Sequence, residues 1–253
     1  MYSKNRGCLT LNISTLCPTR GRPLVCEKMI RSWIKNTYNS ELCIYVQDDD
    51  LCLDDYKIIS KKYTKKINWV FGPRYSTGMM WNILYENHSN APIIHLGSDD
   101  LHFNSQKWDV FIKDYVRSFS DQVYCLSVME DNVKSAKACR HPIVSKKMCD
   151  ALGYFYPPMF MHYQVDHWHK TIAKKVNRFF TITDIQINHV RDSANSEFDW
   201  RQEYKTDGFS TSSAKTMLHN SVYKRDKYSF DKLDRHIDAD VDVLKKLIGN
   251  KKI

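Results

Sequence analysis

Glycine and proline are scarce in this chain, 8 and 7 among 253 residues. A collagen-like or linker-dominated architecture is thereby excluded. Apolar runs stay far short of the roughly 18 residues that a membrane-spanning helix needs. The start, Met1-Tyr2-Ser3-Lys4-Asn5-Arg6, lacks the apolar stretch of a secretion signal. A soluble cytoplasmic protein is expected, in the host cytoplasm if a phage encodes it. The eight cysteines, Cys8, Cys17, Cys26, Cys43, Cys52, Cys125, Cys139 and Cys149, form no C-x-x-C pair. This weighs against a zinc ribbon or a thioredoxin-like site and favours free thiols in a reducing compartment. A phosphate-cradling G-x-x-x-x-G-K-[ST] loop, a dinucleotide G-x-G-x-x-G turn and a nucleophile elbow are all missing, which lowers the NTPase, dehydrogenase and hydrolase readings. Internal repeats and low-complexity tracts are also lacking.

Positive charge is in excess, with 38 Lys+Arg against 29 Asp+Glu, a formal net charge of +9. Such a field attracts polyanions: nucleic acid, an anionic lipid surface or phosphorylated substrates. A Lys-rich solvated surface explains it equally well. Hydrophobic residues make up 42%, enough for a sizeable core.

The first half alternates strand and helix signals. Leu9 to Leu16 reads as a strand running into a polar loop at 17–23, and Leu24 to Lys35 has apolar residues at helical spacing. Leu42 to Val46 reads as a strand ending in Asp48-Asp49-Asp50. A helix over 51–65, a strand at 67–71, a helix from Gly78 to His88 and a strand at 92–96 follow. This alternation argues for an α/β fold with a mostly parallel central sheet flanked by helices. In such sheets ligands bind at the carboxyl ends of the strands. The loop 17–23, the acids 48–50, Arg74 and the acids 99–100 should therefore converge on one edge.

The second half is less regular. Helices are expected over Lys107–Ser118, 145–152 and Val165–Val176, and strands over Val123–Met129 and Phe179–Ile187. Residues 192–230 are polar, and 231–248 read as an amphipathic helix packing back on the core.

Ile93-Ile94-His95-Leu96-Gly97-Ser98-Asp99-Asp100 carries the sharpest chemical signal. An apolar strand ends in two adjacent carboxylates, which repel unless a cation intervenes. Mg²⁺ or Mn²⁺, bridging to substrate phosphates, is the natural candidate; a solvated acidic turn is the plainer one.

Pro18-Thr19-Arg20-Gly21-Arg22-Pro23, Val46-Gln47-Asp48-Asp49-Asp50, Gly78-Met79-Met80-Trp81-Asn82 and Leu96-Gly97-Ser98-Asp99-Asp100 together resemble the GT-A glycosyltransferases, close in style to family 2. His141-Pro142-Ile143-Val144-Ser145, Leu152-Gly153-Tyr154-Phe155, His162 and Asp166 resemble the acceptor-side half of short members of that group. The resemblance covers about residues 9–190. It implies a catalytic domain at 1–190, with a nucleotide-sugar half at 9–104 and an acceptor half at 105–190. Residues 191–253 are then a polar loop and a C-terminal helix.

The resemblance further implies a transferase that moves a sugar from a nucleotide-sugar, UDP-linked as the first expectation, to an acceptor hydroxyl with inversion. Asp100 and His189 are the implied ligands for Mn²⁺ or Mg²⁺. Ser98 stands where the usual motif has an acid, so the division of labour between Asp99 and Asp100 stays open. Thr19, Arg20, Arg22, Asp48, Asp49, Arg74, Gly78, Asn82, Ser98 and Asp99 are the implied donor-binding residues. Arginine forks match phosphate oxygens, and Asp48 or Asp49 suits a base or ribose hydroxyl.

Asp166 is the implied general base, with His162 orienting it; capping of a helix is the competing reading. His167 and His169 do not share a helical face and do not read as a zinc pair. Tyr154, Phe155, Tyr156, Phe160 and Trp168 line an acceptor pocket or simply form core. Two acceptors fit: hydroxymethylated pyrimidines in duplex DNA, by counterion release, and a cell-envelope saccharide. A non-catalytic nucleic-acid-binding protein on a transferase scaffold is the alternative from another class.

Overall fold

The computed structural model describes residues 12–64, 67–130, 139–190, 224, 226–227 and 231–249. The described elements are β1 (Ile13–Thr19), α1 (Pro23–Asn36), β2 (Glu41–Gln47), α2 (Leu53–Tyr63), β3 (Ile67–Gly72), α3 (Thr77–His88), β4 (Ile93–Leu96), β5 (Leu101–Phe103), α4 (Trp108–Val116), β6 (Cys125–Met129), β7 (Ile143–Ser145), α5 (Lys146–Leu152), α6 (Val165–Lys175), β8 (Phe179–His189) and α7 (Asp234–Ile248). The expected polar stretch 192–230 lies outside the described residues, apart from 224, 226 and 227. Among the described residues no helix is long and apolar enough to cross a membrane.

The strands form one sheet in the order β3-β2-β1-β4-β7-β6-β8-β5. The β1–β2, β2–β3, β1–β4 and β6–β8 pairs are parallel. The β4–β7, β6–β7 and β5–β8 pairs are antiparallel. The α/β sheet flanked by helices is thus as expected. Two short strands, β5 and β7, add its antiparallel part. Each is three residues long, below the length at which alternation gives a readable signal.

Sequence alternation assigns the two faces. On β2, Leu42, Ile44 and Val46 pack with α1, α2 and α4, whereas Cys43 and Tyr45 pack with α3, α5, α6 and α7. The aromatic group Phe155, Tyr156, Phe160 and Trp168 belongs to the second cluster and is buried to 3% exposure or less. These four rings are core, and Tyr154, the fifth of the group, is half-buried against them.

The first strand also needs correction, because it continues past Leu16 through Pro18 to Thr19. Proline is tolerated there since β4 ends opposite Leu16, leaving β1 one neighbour at Pro18, namely β2. This extension matters for the site. Leu16 is in register with Leu96, so Thr19 and Asp99, each three residues further on, emerge side by side.

Close contact at that point requires Gly97. Its N–H donates to the Leu16 carbonyl at 2.8 Å, and an added Cβ would lie 2.8 Å from that same oxygen. The indole of Trp81 seals the junction, donating to the Leu16 carbonyl at 3.0 Å and to the Gly97 carbonyl at 3.2 Å.

Two core histidines set an acid response. Burial pushes His95 down to about 3, with the His141 charge adding to it, and burial pushes His169 down to about 4. Below the ordinary value of 6.5 the unfolded chain takes up protons that the folded chain refuses, so stability falls as pH falls from about 6.5 toward 4. Urea titrations between pH 7.5 and pH 4.5 should show this loss, approaching ~1.4 kcal/mol per pH unit for each histidine. His169→Gln should flatten the slope, and a parent profile that is flat over this range would contradict the assignment.

Candidate functional site

The carboxyl ends of β1, β2 and β4 surround a cleft of about 590 Å³. Of the expected donor residues, Thr19, Arg20, Arg22, Arg74, Ser98 and Asp99 line it, and His162 closes the opposite lip. The cleft sits where α1 begins, and a helix N-terminus favours an anion. Arg22 occupies the helix-capping position and Pro23 the first turn. A guanidinium at that end opposes the helix dipole, so its placement there depends on other partners.

Those partners are the paired acids. Arg22 Nε donates to Asp99 Oδ2 at 3.1 Å, a second guanidinium nitrogen donates to Asp99 Oδ1, and Nη1 donates to Asp100 Oδ2 at 3.2 Å. Asp99 is 1% exposed and also accepts the Thr19 hydroxyl at 2.7 Å. That hydroxyl lies 2.8 Å from the Tyr56 phenol. Ser98 donates to Asp100 Oδ1, and His189 Nε2 stands 3.2 Å from the same oxygen.

The two carboxylates respond differently. Burial and the neighbouring Asp100 raise Asp99, although Arg22 and Thr19 work the other way. Burial also acts upward on Asp100, but His189, Arg22 and Ser98 outweigh it and hold that carboxyl well below the usual range. Asp100 is therefore the more readily ionised member, and Asp99 is the buried partner of Arg22.

Among the described residues no three His, Cys, Asp or Glu side chains group as metal ligands. Two donors do converge, Asp100 Oδ1 and His189 Nε2. A divalent cation held by one or two protein groups plus diphosphate oxygens and water needs no more than this pair. The donor set therefore fits Mg²⁺ or Mn²⁺.

The three acids after β2 have separate roles. Asp48 is exposed. Asp49 pairs with Arg20 at 2.5 Å and Arg74 at 3.4 Å. Asp50 is 6% exposed and accepts from the Gly21 and Cys52 backbone N–H groups, each at 2.8 Å. It fastens the loop after β1, where Gly21 has a φ of +64°. Gln47 adds a bridge, accepting from Arg20 at 2.6 Å and donating to the Tyr75 carbonyl at 2.8 Å.

Gly78 and Asn82 stand behind the cleft wall. Asn82 donates to the Tyr156 carbonyl at 2.9 Å and accepts from the Tyr156 N–H at 2.7 Å. A Cβ on Gly78 would lie 2.6 Å from the Tyr156 ring. Both residues hold the 156–161 segment against α3, and Tyr156 in turn stacks on Trp81 with ring centroids 5.2 Å apart.

Asp166 opens α6, where burial raises it above the usual carboxylate range. His167 lies 3.9 Å away and, together with His141, acts in the opposite direction. Gln164, just before the helix, has a φ of +74°. His162 Nδ1 lies 2.9 Å from the Thr77 hydroxyl.

Residues missed by the sequence reading include Tyr56, Gln47 and Asp226. Asp226 is fully buried and accepts from the backbone N–H groups of Met161, His162 and Tyr163 at 2.9–3.2 Å. It anchors the lip of the cleft from a part of the chain that carries no motif.

Asp50→Ala should cost about 1–3 kcal/mol in urea denaturation, because two backbone donors lose their acceptor. Asp48→Ala should stay within about 0.5 kcal/mol. Equal costs would contradict the division of roles.

No protein-family model matches the chain, and no curated protein matches it. Solved structures do. The mannosyltransferase PcManGT from Pyrobaculum calidifontis, in complex with GDP-Man and Mn²⁺, aligns with a TM-score of 0.59 and 12% identity, over 95% of this chain and 76% of that one. S. aureus TarS 1-349 in complex with UDP aligns with a TM-score of 0.54 and 13% identity, over 70% of this chain. The chain spans 60% of that TarS chain. With its strand order, paired acids and cleft all at one sheet edge, the chain has the GT-A glycosyltransferase fold.

Proposed function

We propose that the protein is a glycosyltransferase that uses a nucleotide-sugar donor and a divalent cation. The observation that carries this reading is the joining of Asp100 and His189, through Arg22 and Asp99, to a cleft also lined by Arg20 and Arg74. Those groups supply what a diphosphate leaving group needs, fixed positive charge and a site for a cation. The bound GDP-Man and Mn²⁺ of PcManGT and the UDP of TarS support the same ligand class.

The chain's own residues divide the work as follows. Thr19 and Arg22 hold Asp99, and Arg22 and Ser98 hold Asp100 beside His189. A cation on Asp100 and His189 would neutralise charge developing on the departing diphosphate. Arg20 and Arg74, braced by Asp49, flank the nucleotide side. Asp166 accepts the proton of the acceptor hydroxyl as its oxygen bonds to the anomeric carbon. The bond from that carbon to the phosphate oxygen breaks on the opposite side, so the configuration inverts. Burial raises Asp166 above the usual carboxylate range, which makes it a stronger base.

The acceptor is a saccharide hydroxyl in this reading. The +9 charge favours the second reading, hydroxymethylated pyrimidine in duplex DNA, by attraction to phosphates.

Incubation with Mn²⁺, a panel of UDP- and GDP-sugars, and either oligosaccharides or modified duplex DNA, read by mass spectrometry, tests both. A gain of one sugar mass on a saccharide is expected; a gain on modified DNA alone would move the acceptor to the second reading. Release of neither nucleotide nor product would overturn the transferase reading. Asp166→Asn should keep nucleotide affinity while lowering transfer by at least about 100-fold, and an unchanged rate would remove Asp166 from the mechanism.

A further inference from the structure

β6 delivers a buried carboxylate, Glu130, immediately after Met129. Arg140 Nη1 donates to it at 3.0 Å, and His141 Nδ1 lies 3.5 Å from its other oxygen without forming a hydrogen bond. The His141 ring stands edge-on to the His189 ring, with centroids 5.0 Å apart and planes at 76°. His189 Nε2 then meets Asp100. One line of largely buried groups therefore runs from Glu130 through His141 and His189 to the acid pair.

Glu130 is held ionised against its burial by His141 and Arg140. A clip that merely joined β6 to β7 would be complete with Arg140. The second group, an imidazole placed against the histidine beside Asp100, serves the site instead.

The arrangement is an outer shell made by ring packing on His189 rather than by a hydrogen bond to it. A metal-bound histidine needs its ring orientation and tautomer fixed by a second group, and losing that group weakens metal binding about 10–100-fold. Nδ1 of His189 is buried and has no hydrogen-bond partner among the described residues, so neighbouring packing rather than a direct carboxylate must hold the ring.

We propose that Glu130 and His141 are positioning residues for the metal site: Glu130 stands against the His141 ring, and His141 packs edge-on against His189. The proposal rests on reading His189 as a metal ligand, so the test separates the two. Mn²⁺ binding to the full chain, with and without UDP or GDP, is followed by loss of the free-ion EPR signal. The variants are Glu130→Gln, His141→Phe and His189→Ala, each checked by circular dichroism melting.

Glu130→Gln and His141→Phe should each weaken Mn²⁺ binding about 10-fold or more, at a melting temperature close to the parent's. If both bind as the parent does while His189→Ala loses Mn²⁺, the proposal is overturned and the metal reading stands. If His189→Ala also binds as the parent does, both are overturned. Should His141→Phe fail to fold, the isosteric Glu130→Gln decides the matter alone.

Discussion

Two adjacent carboxylates at the end of a buried strand are the constraint on which the site depends. Asp99 and Asp100 follow β4 after Gly97 and Ser98, and Asp99 is withdrawn from water. An uncompensated pair of this kind is costly, because burial strengthens the repulsion that water would otherwise screen. Arg22 resolves this with one guanidinium that reaches both acids. The arginine is in turn raised further by Asp99, despite its own burial, so it remains charged at any accessible pH. The counter-ion is thus built into the first helix turn, and Asp100 keeps an oxygen directed at His189.

Most of the surrounding architecture keeps that triangle in place. The register of β1 with β4 sets Thr19 beside Asp99. Gly97 and Trp81 tie the two strand ends together, and Tyr156 stacks beneath Trp81. Asn82 and Gly78 hold Tyr156 and its neighbours to α3. Asp226 fastens the lip that faces the acids across the cleft. Structural and chemical roles are interleaved here, so a change at Asn82 or Gly78 acts on the cleft through Tyr156.

The legible part of this arrangement came from patterns that one sequence carries in full. Alternation of strands and helices over 13–96 placed the acids and arginines at one edge, because parallel strands bring their carboxyl ends together. The order of the P-T-R-x-R-P, acidic and Ser-Asp-Asp segments added the fold. Three things were not legible, each for a physical reason. Strands β5 and β7 are too short to show a period. The split among Asp48, Asp49 and Asp50 depends on which carboxylate meets the Gly21 N–H, a contact between distant segments. Asp226 binds backbone donors rather than side chains, so no residue-type signal marks it. Pro18 misled in the opposite direction, since a proline inside a strand is allowed only where a neighbouring strand has ended.

The central claim is that Asp100 links a cation to a nucleoside diphosphate in this cleft. Calorimetric titration of UDP and GDP into the protein and its Asp100→Ala variant, each with and without Mn²⁺, tests it most directly. The account predicts that one of the two nucleotides binds at least about 10-fold more tightly with Mn²⁺, and that Asp100→Ala abolishes this gain while leaving the fold intact. Nucleotide binding that is indifferent to Mn²⁺, or a gain that survives in Asp100→Ala, would contradict it.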